Sequence, residues 1–381
     1  MHIKSILALV ALSTLTACAS WNASDEDKPF PLPKIAQTQQ NLSILWQQSV
    51  GDPLSDEEGQ SLLGTINTDV VVASDNGNIT RINSQNGNIV WQTKVKKISL
   101  GIAVSEKYIT FIDKDNKLIV LNANDGKQIW KTTLDIEVKS SPFITNKIVV
   151  LRTTSNKLIA FNLDTQQLVW QYERIAQGLL LHSKRNSMVT PKKDVILAGF
   201  HGAKVVLLDA NTGSQKWEQT LSYSKGFTES ERINDIVASP VVYADTACTA
   251  SYQGKIGCFD LNNGGLAWEA PFSTSQNLIN DATGIYATNI KGQISAFDYN
   301  GNLKWQQKDL TNRHIKDGIV LDNTIIFNDF KGYMHLINKN NGNLVGQFKL
   351  DDTSVPMIKL GSIIIAHTNN GKIYGLKLNS Q

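Results

Sequence analysis

The sequence predicts an all-β fold, an eight-bladed β-propeller of four-stranded antiparallel blades. Three observations lead there: a repeated phrase that ends in Trp, a repeat spacing near 40 residues, and an incomplete sheet at each end of the chain. The phrase reads turn, Gly or Asn, apolar alternation, Asn or Asp, a second Gly turn, then Trp. Its first clear copy runs Asn76-Gly77-Asn78-Ile79-Thr80-Arg81-Ile82-Asn83, then Asn86-Gly87, then Trp91. Later copies end at Trp130, Trp170, Trp217, Trp268 and Trp305; a further one passes through Gly332, Asn338 and Gly342 to Gly346, where the Trp is lost. Successive ends from Trp91 to Gly346 lie 39, 40, 47, 51, 37 and 41 residues apart. Strand-rich repeats of that period form propellers or solenoids.

Each repeat resolves into four strands. In the second they are expected at 98–104, 108–113, 118–122 and 128–133, where apolar residues alternate between turns. Asn-Gly, Asp-Gly and Lys-Gly pairs supply the positive φ that tight hairpins need. Turns ahead of a third strand fall at Gly77, Asn116, Asn156, Gly202, Gly254, Gly292, Gly332 and Gly371. Eight turns give eight blades; seven is the count if one copy is degenerate. The chain stops soon after the eighth turn, and Leu45-Trp46-Gln47 reads as an outer strand with no hairpin before it. The Trp46 strand is therefore expected to complete the blade begun near Val355, closing the ring without a covalent link and leaving few free strand edges. The recurrent Trp reads as packing between neighbouring blades, with its indole N–H needing an acceptor.

The repeats cover most of the 381 residues, so 41–381 forms one domain. With 37 basic and 34 acidic residues there is no electrostatic case for nucleic acid. The beginning of the chain reads as an export signal, residues 1–17: a basic start at Lys4, then an apolar run over 6–15 too short to span a membrane. Leu15-Thr16-Ala17-Cys18 resembles the bacterial lipoprotein cleavage box. That resemblance implies cleavage before Cys18 and lipidation of Cys18, with Ala19 favouring the outer membrane. Residues 18–40, polar and rich in Pro, are expected to form a flexible tether. Cys248 and Cys258 flank the turn at Gly254 and face each other across a hairpin. They form either a disulfide, which an oxidising compartment permits, or a pair of buried thiols. No further ligand at suitable spacing supports a metal.

Signatures of catalysis are absent. The histidines His182, His201, His314, His335 and His367 are scattered over different blades. No phosphate-binding loop, nucleophile elbow or zinc motif occurs, and most Asp residues sit in turns. No cofactor is expected. The departures from the repeat say more. The two long intervals place extra residues at 175–189 and 222–235, in connections from one blade's outer strand to the next blade's inner strand. Such connections emerge on one face, so these two are neighbours there, and lengthened loops on a rigid scaffold carry function. The first holds Leu179, Leu180 and Leu181, then Lys184 and Arg185; the second holds Glu229, Glu231, Arg232 and Asp235. An apolar cluster rimmed by both charge signs suits a protein interface. A third long connection, 51–59, is acidic, with Asp52, Asp56, Glu57 and Glu58.

Lipobox, eight repeats and loop pattern together resemble the BamB family, lipoproteins of the outer-membrane β-barrel assembly machinery, whose PQQ-type repeats are shared with quinoprotein dehydrogenases. Thr228-Glu229-Ser230-Glu231-Arg232-Ile233-Asn234-Asp235-Ile236-Val237-Ala238-Ser239-Pro240 is similar to the family's acidic loop, with Val237 at its second acidic position. Leu181-His182-Ser183-Lys184 stands at the family's apolar–basic segment, with Ser183 in place of a second Leu. The resemblance implies a non-enzymatic scaffold on the periplasmic face of the outer membrane of a Gram-negative bacterium, docked on the POTRA domains of BamA. It implies unfolded outer-membrane proteins as clients, reached in part through strand edges. Leu181 would be the apolar anchor, Lys184 or Arg185 its basic neighbour and Asp235 an acidic contact. The competing readings are a PQQ- and Ca2+-dependent dehydrogenase, whose family is longer and often carries adjacent cysteines that this chain lacks, or a generic periplasmic protein-binding propeller.

Overall fold

The computed structural model describes residues 27–35, 37–52, 62–174, 178–181, 183–316 and 318–380. The signal segment, Cys18, His182 and the acidic residues Asp56, Glu57 and Glu58 lie outside the described residues.

The described chain makes eight four-stranded antiparallel sheets, each a meander from an inner to an outer strand. Blades 1 to 7 cover residues 63–94, 98–133, 143–172, 188–220, 241–271, 279–307 and 318–349. In blade 2 the strands match the expected spans, except that the third opens one residue earlier as Lys117–Asn122. Blade 8 combines 354–380 with the first strand, Gln40–Ser49, which pairs antiparallel with Lys372–Ser380 from Gln40↔Ser380 to Ser49↔Lys372. The ring is closed by the segment around Trp46, as expected. Trp46, Val50, Leu63, Val72, Ile365 and Ile373 then share one core across the closure.

Every outer strand carries a register shift at the residue before its Trp position. Arg81↔Trp91 is followed by Ile82↔Ile89, and Ala160↔Trp170 by Phe161↔Leu168. An extra residue there kinks the strand and re-aims the following side chain. It also breaks the two-residue alternation, so Ile89 with Val90, and Leu168 with Val169, are exposed in adjacent pairs. The re-aimed indole lands on the next blade. Trp170 Nε1 donates to the Ala210 carbonyl at 2.8 Å, and its ring covers Gly213. Gly213 has φ +70°, and a Cβ there would lie 2.6 Å from the ring. Both facts require Gly. The same indole-to-carbonyl bond recurs from Trp46 to Ser84, Trp130 to Leu163, Trp217 to Leu261 and Trp305 to Lys339.

The missing Trp at Gly346 has a physical cause. Blade 8 has no turn between its third and outer strands, because those strands come from opposite ends of the chain. The start of the first strand fills that place: a Cβ on Gly346 would lie 2.1 Å from the Gln40 carbonyl oxygen. The Gln39 N–H donates to the Val345 carbonyl at 2.9 Å in compensation.

Two expectations are corrected. In the fifth blade the left-handed residue of the turn is Gln253, at φ 51°, rather than Gly254. Gly254 is required by crowding instead, since a Cβ there would lie 2.5 Å from Ser222 Oγ and 2.6 Å from Asn234 Oδ1. The second correction concerns the tether, part of which is held against the propeller. The Phe30 N–H donates to the Thr311 carbonyl at 3.0 Å, Arg313 Nη1 donates to the Phe30 carbonyl at 2.9 Å, and Gln347 Nε2 donates to the Pro33 carbonyl at 3.3 Å. Proline removes backbone donors but leaves carbonyls to be gripped. Arg313 is itself fixed by Asp329, which also takes His335 Nε2 at 3.0 Å.

Candidate partner-binding face

The connections 173–187 and 221–240 run from an outer strand to the next inner strand, and so emerge on one face as expected. One carboxylate ties them together. Asp235 Oδ2 accepts from the Leu181 N–H at 2.7 Å, while Oδ1 accepts from His201 Nδ1 at 2.7 Å and from the Gly202 N–H at 3.2 Å. Burial alone would raise the Asp235 carboxyl; His201 and the two amides outweigh it and hold it below the usual carboxylate range. The stem of the second loop is closed by Ser222 and Asn234, with Asn234 Nδ2 donating to the Ser222 carbonyl at 3.1 Å. The first loop is anchored inward as well. The Ser141 N–H donates to the Lys184 carbonyl at 3.1 Å, and Arg185 Nη2 donates to Gln276 Oε1 at 2.8 Å.

The expected contact residues divide into two groups. Leu179 is 49% exposed, Leu180, Leu181 and Lys184 are half-buried, and Glu229, Glu231 and Arg232 are exposed. Arg185 and Asp235 are buried, at 7% and 3% exposure, because their polar groups are used inside the loops. Asp235 is thus a knot that positions Leu181 rather than a carboxylate offered at the surface. Glu231 also works locally, accepting from the Phe227 and Thr228 N–H groups, which lower its carboxyl below the ordinary value. The sequence reading passed over Phe227 and Tyr223, which are 98% and 79% exposed. The signal was present: two aromatics in an otherwise polar loop, with no alternation to turn them inward.

Cys248 and Cys258 stand opposite each other in register and form a disulfide, which decides between the two alternatives. The central channel, of about 620 Å3, is lined by inner-strand residues such as Thr65 and Ile102 and by connection residues such as Asn186 and Asn277. Its described lining contains Arg185 but no carboxylate. Among the described residues no group of three or more His, Cys, Asp or Glu side chains could hold a metal ion. The described lining therefore offers no carboxylate to a Ca2+-bound quinone.

A family model described as Outer membrane protein assembly factor BamB matches residues 75–307. The outer membrane protein assembly factor BamB of Burkholderia pseudomallei is 31% identical over 312 residues, covering 81% of each chain. The Yersinia pestis protein of that name is 24% identical over 386 residues, covering 97% of each. The crystal structure of BamB from Moraxella catarrhalis superposes with a TM-score of 0.78 at 20% identity, covering 88% of this chain and 100% of that one. A europium-containing methanol dehydrogenase superposes with a TM-score of 0.66 at 12% identity, covering 88% and 93%. That last likeness is one of fold alone. Sequence identity on this scale over most of the repeats makes the chain a member of the BamB family of outer membrane protein assembly factors.

Proposed function

We propose that this protein is a non-enzymatic scaffold of the outer-membrane protein assembly complex. It is held by a lipid on Cys18 at the periplasmic face of the outer membrane. It docks through the 173–187 and 221–240 loops on the periplasmic POTRA domains of BamA, and so assists the folding and insertion of β-barrel clients. The observation that carries the reading is the Asp235 knot. It joins two lengthened loops of adjacent blades and sets Leu181 beside the exposed Leu179. A protein interface needs an apolar anchor on a rigid mount, and mobile loops would pay the ordering entropy at docking. The outer strands add exposed apolar pairs such as Ile44 with Leu45, which suit pairing with an extended client.

The test is capture of the barrel subunit from detergent-solubilised envelopes by the tagged full-length protein. Leu179→Asp combined with Leu181→Asp is expected to abolish capture, while folding, read from the thermal midpoint, is kept. Undiminished capture by this double variant would remove the proposed interface.

A further inference from the structure

Beside the Leu181 loop, between blades 3 and 4, lies a cavity of about 20 Å3. Lys139, Arg152 and Arg185 reach it, and Asp235 is the one carboxylate in its described lining. Asp235 already takes three N–H groups. Arg152 is 3% exposed. Its Nη1 donates to Asn156 Oδ1 at 2.9 Å, its Nη2 to the Gly199 carbonyl at 2.9 Å, and its guanidinium lies 4.5 Å above the Phe200 ring. None of these partners is charged, and the buried Nε–H has no acceptor. Lys139 is its neighbour on the adjoining segment, with the Lys139 N–H bonded to the Arg152 carbonyl at 2.9 Å. Burial first, and then the Arg152 charge, push the Lys139 ammonium down to about 8 against the smaller opposing effect of Asp235.

Two cations, one fully buried, therefore share a cleft whose one carboxylate in the described lining, Asp235, is already committed to three N–H groups. A buried charge is tolerated when an opposite charge compensates it, and is otherwise costly. The cleft holds little more than one water-sized sphere. One oxygen of a carboxylate fills that space, and a whole phosphate does not fit. Its remaining walls include Leu181, Phe200, Ile236 and Val237, apolar surface that would shield an ion pair from water. It opens beside the residue that the docking reading uses as anchor.

We propose that the Lys139–Arg152 cleft receives a carboxylate side chain, Asp or Glu, from the protein that docks on the Leu181 loop. The inference rests on the docking reading given above. It adds that the partner presents an acidic residue next to its apolar patch, with the Lys139 ammonium meeting the carboxylate and the buried Arg152 charge adding to the attraction.

The experiment uses the full-length protein in detergent, with Arg152→Met, Lys139→Met and Leu181→Asp. The Met variants remove unpaired cations, so the urea midpoint of the isolated protein is expected to hold or rise. Capture of the barrel subunit by either Met variant is expected to weaken more than about tenfold, as for other desolvated charge pairs across interfaces. Sodium acetate is the probe of the cleft itself. It is expected to raise the thermal midpoint of the wild type saturably, and to lose that effect in Arg152→Met. Full capture by both Met variants, with Leu181→Asp inactive, overturns the carboxylate cleft and leaves the docking face standing. Full capture by Leu181→Asp removes the docking reading instead. A saturable shift given equally by chloride assigns the cleft to a free anion and overturns the partner carboxylate. Equal acetate shifts in wild type and Arg152→Met overturn the site.

Discussion

The backbone N–H of Leu181 donates to Asp235 Oδ2 at 2.7 Å across 54 residues of sequence. This bond fixes the height of one loop against the stem of the other. Removing the carboxylate as Asp235→Ala leaves the Leu181 and Gly202 amides and His201 without their acceptor. Bonds to a charged acceptor are worth about 1.5–3 kcal/mol each, and buried donors left unmatched cost further. A stability loss of about 2–4 kcal/mol is expected in urea titrations. Hydrogen exchange at Leu181 and Gly202 should accelerate more than exchange in the blades, which locates the loss in the knot.

The indole clasp gives a paired test. Gly202 and Gly213 both have φ near +70°, at +69° and +70°, yet a Cβ on Gly202 meets nothing within 4 Å while one on Gly213 strikes Trp170. Gly202→Ala therefore carries only the left-handed backbone penalty, about 1–2 kcal/mol. Gly213→Ala adds overpacking worth roughly 1–3 kcal/mol. Denaturant midpoints should rank wild type, then Gly202→Ala, then Gly213→Ala; equal midpoints for the two variants would deny the clasp any energetic role.

Acid should loosen the held N-terminal segment. Burial alone would raise the Asp329 carboxyl, but His335, the Tyr333 amide and Arg313 hold it at about 2, against 3.8 ordinarily. The folded value is the lower one, so the stabilisation is complete above about pH 4 and drains away as pH falls toward 2. The difference amounts to roughly 2 kcal/mol. Because Arg313 grips both Asp329 and the Phe30 carbonyl, pepsin cleavage near Phe30 should rise over that window. In Asp329→Asn the cleavage is expected to be high throughout, with no step.

Reduction of Cys248–Cys258 opens a short loop between strands that are already paired. Chain-entropy reasoning for a loop of that length gives at most about 3 kcal/mol. Dithiothreitol should lower the urea midpoint modestly without unfolding the protein. Thiol titration of the unfolded chain should find two more groups after reduction than before.

Much of the fold was legible because its rules are local. A Gly or Asn turn every 40 residues or so, alternating apolar residues and a terminal Trp all act within one blade, and the incomplete sheets at the two ends implied each other. The loss of Trp at Gly346 was visible but unexplained, since its cause is the Gln40 carbonyl from the far end of the chain. The grip on residues 30–33 was hidden for the same reason: Arg313 and Gln347 stand about 300 residues away. In the candidate site, loop length and composition were readable, but burial was not. Asp235 looks like any acidic loop residue until His201, Leu181 and Gly202 are brought to it. Arg152 lies in an ordinary strand, and its missing counter-charge is a property of what folds around it.

The grip at Phe30 and Pro33 also governs mechanics. The Thr311–Arg313 connection is of the same class as the docking loops, so the chain departs from that side of the disc. Any load on the leading end therefore arrives at one rim, off the hub, and swings the wheel on that rim instead of trailing it like a balloon on a string.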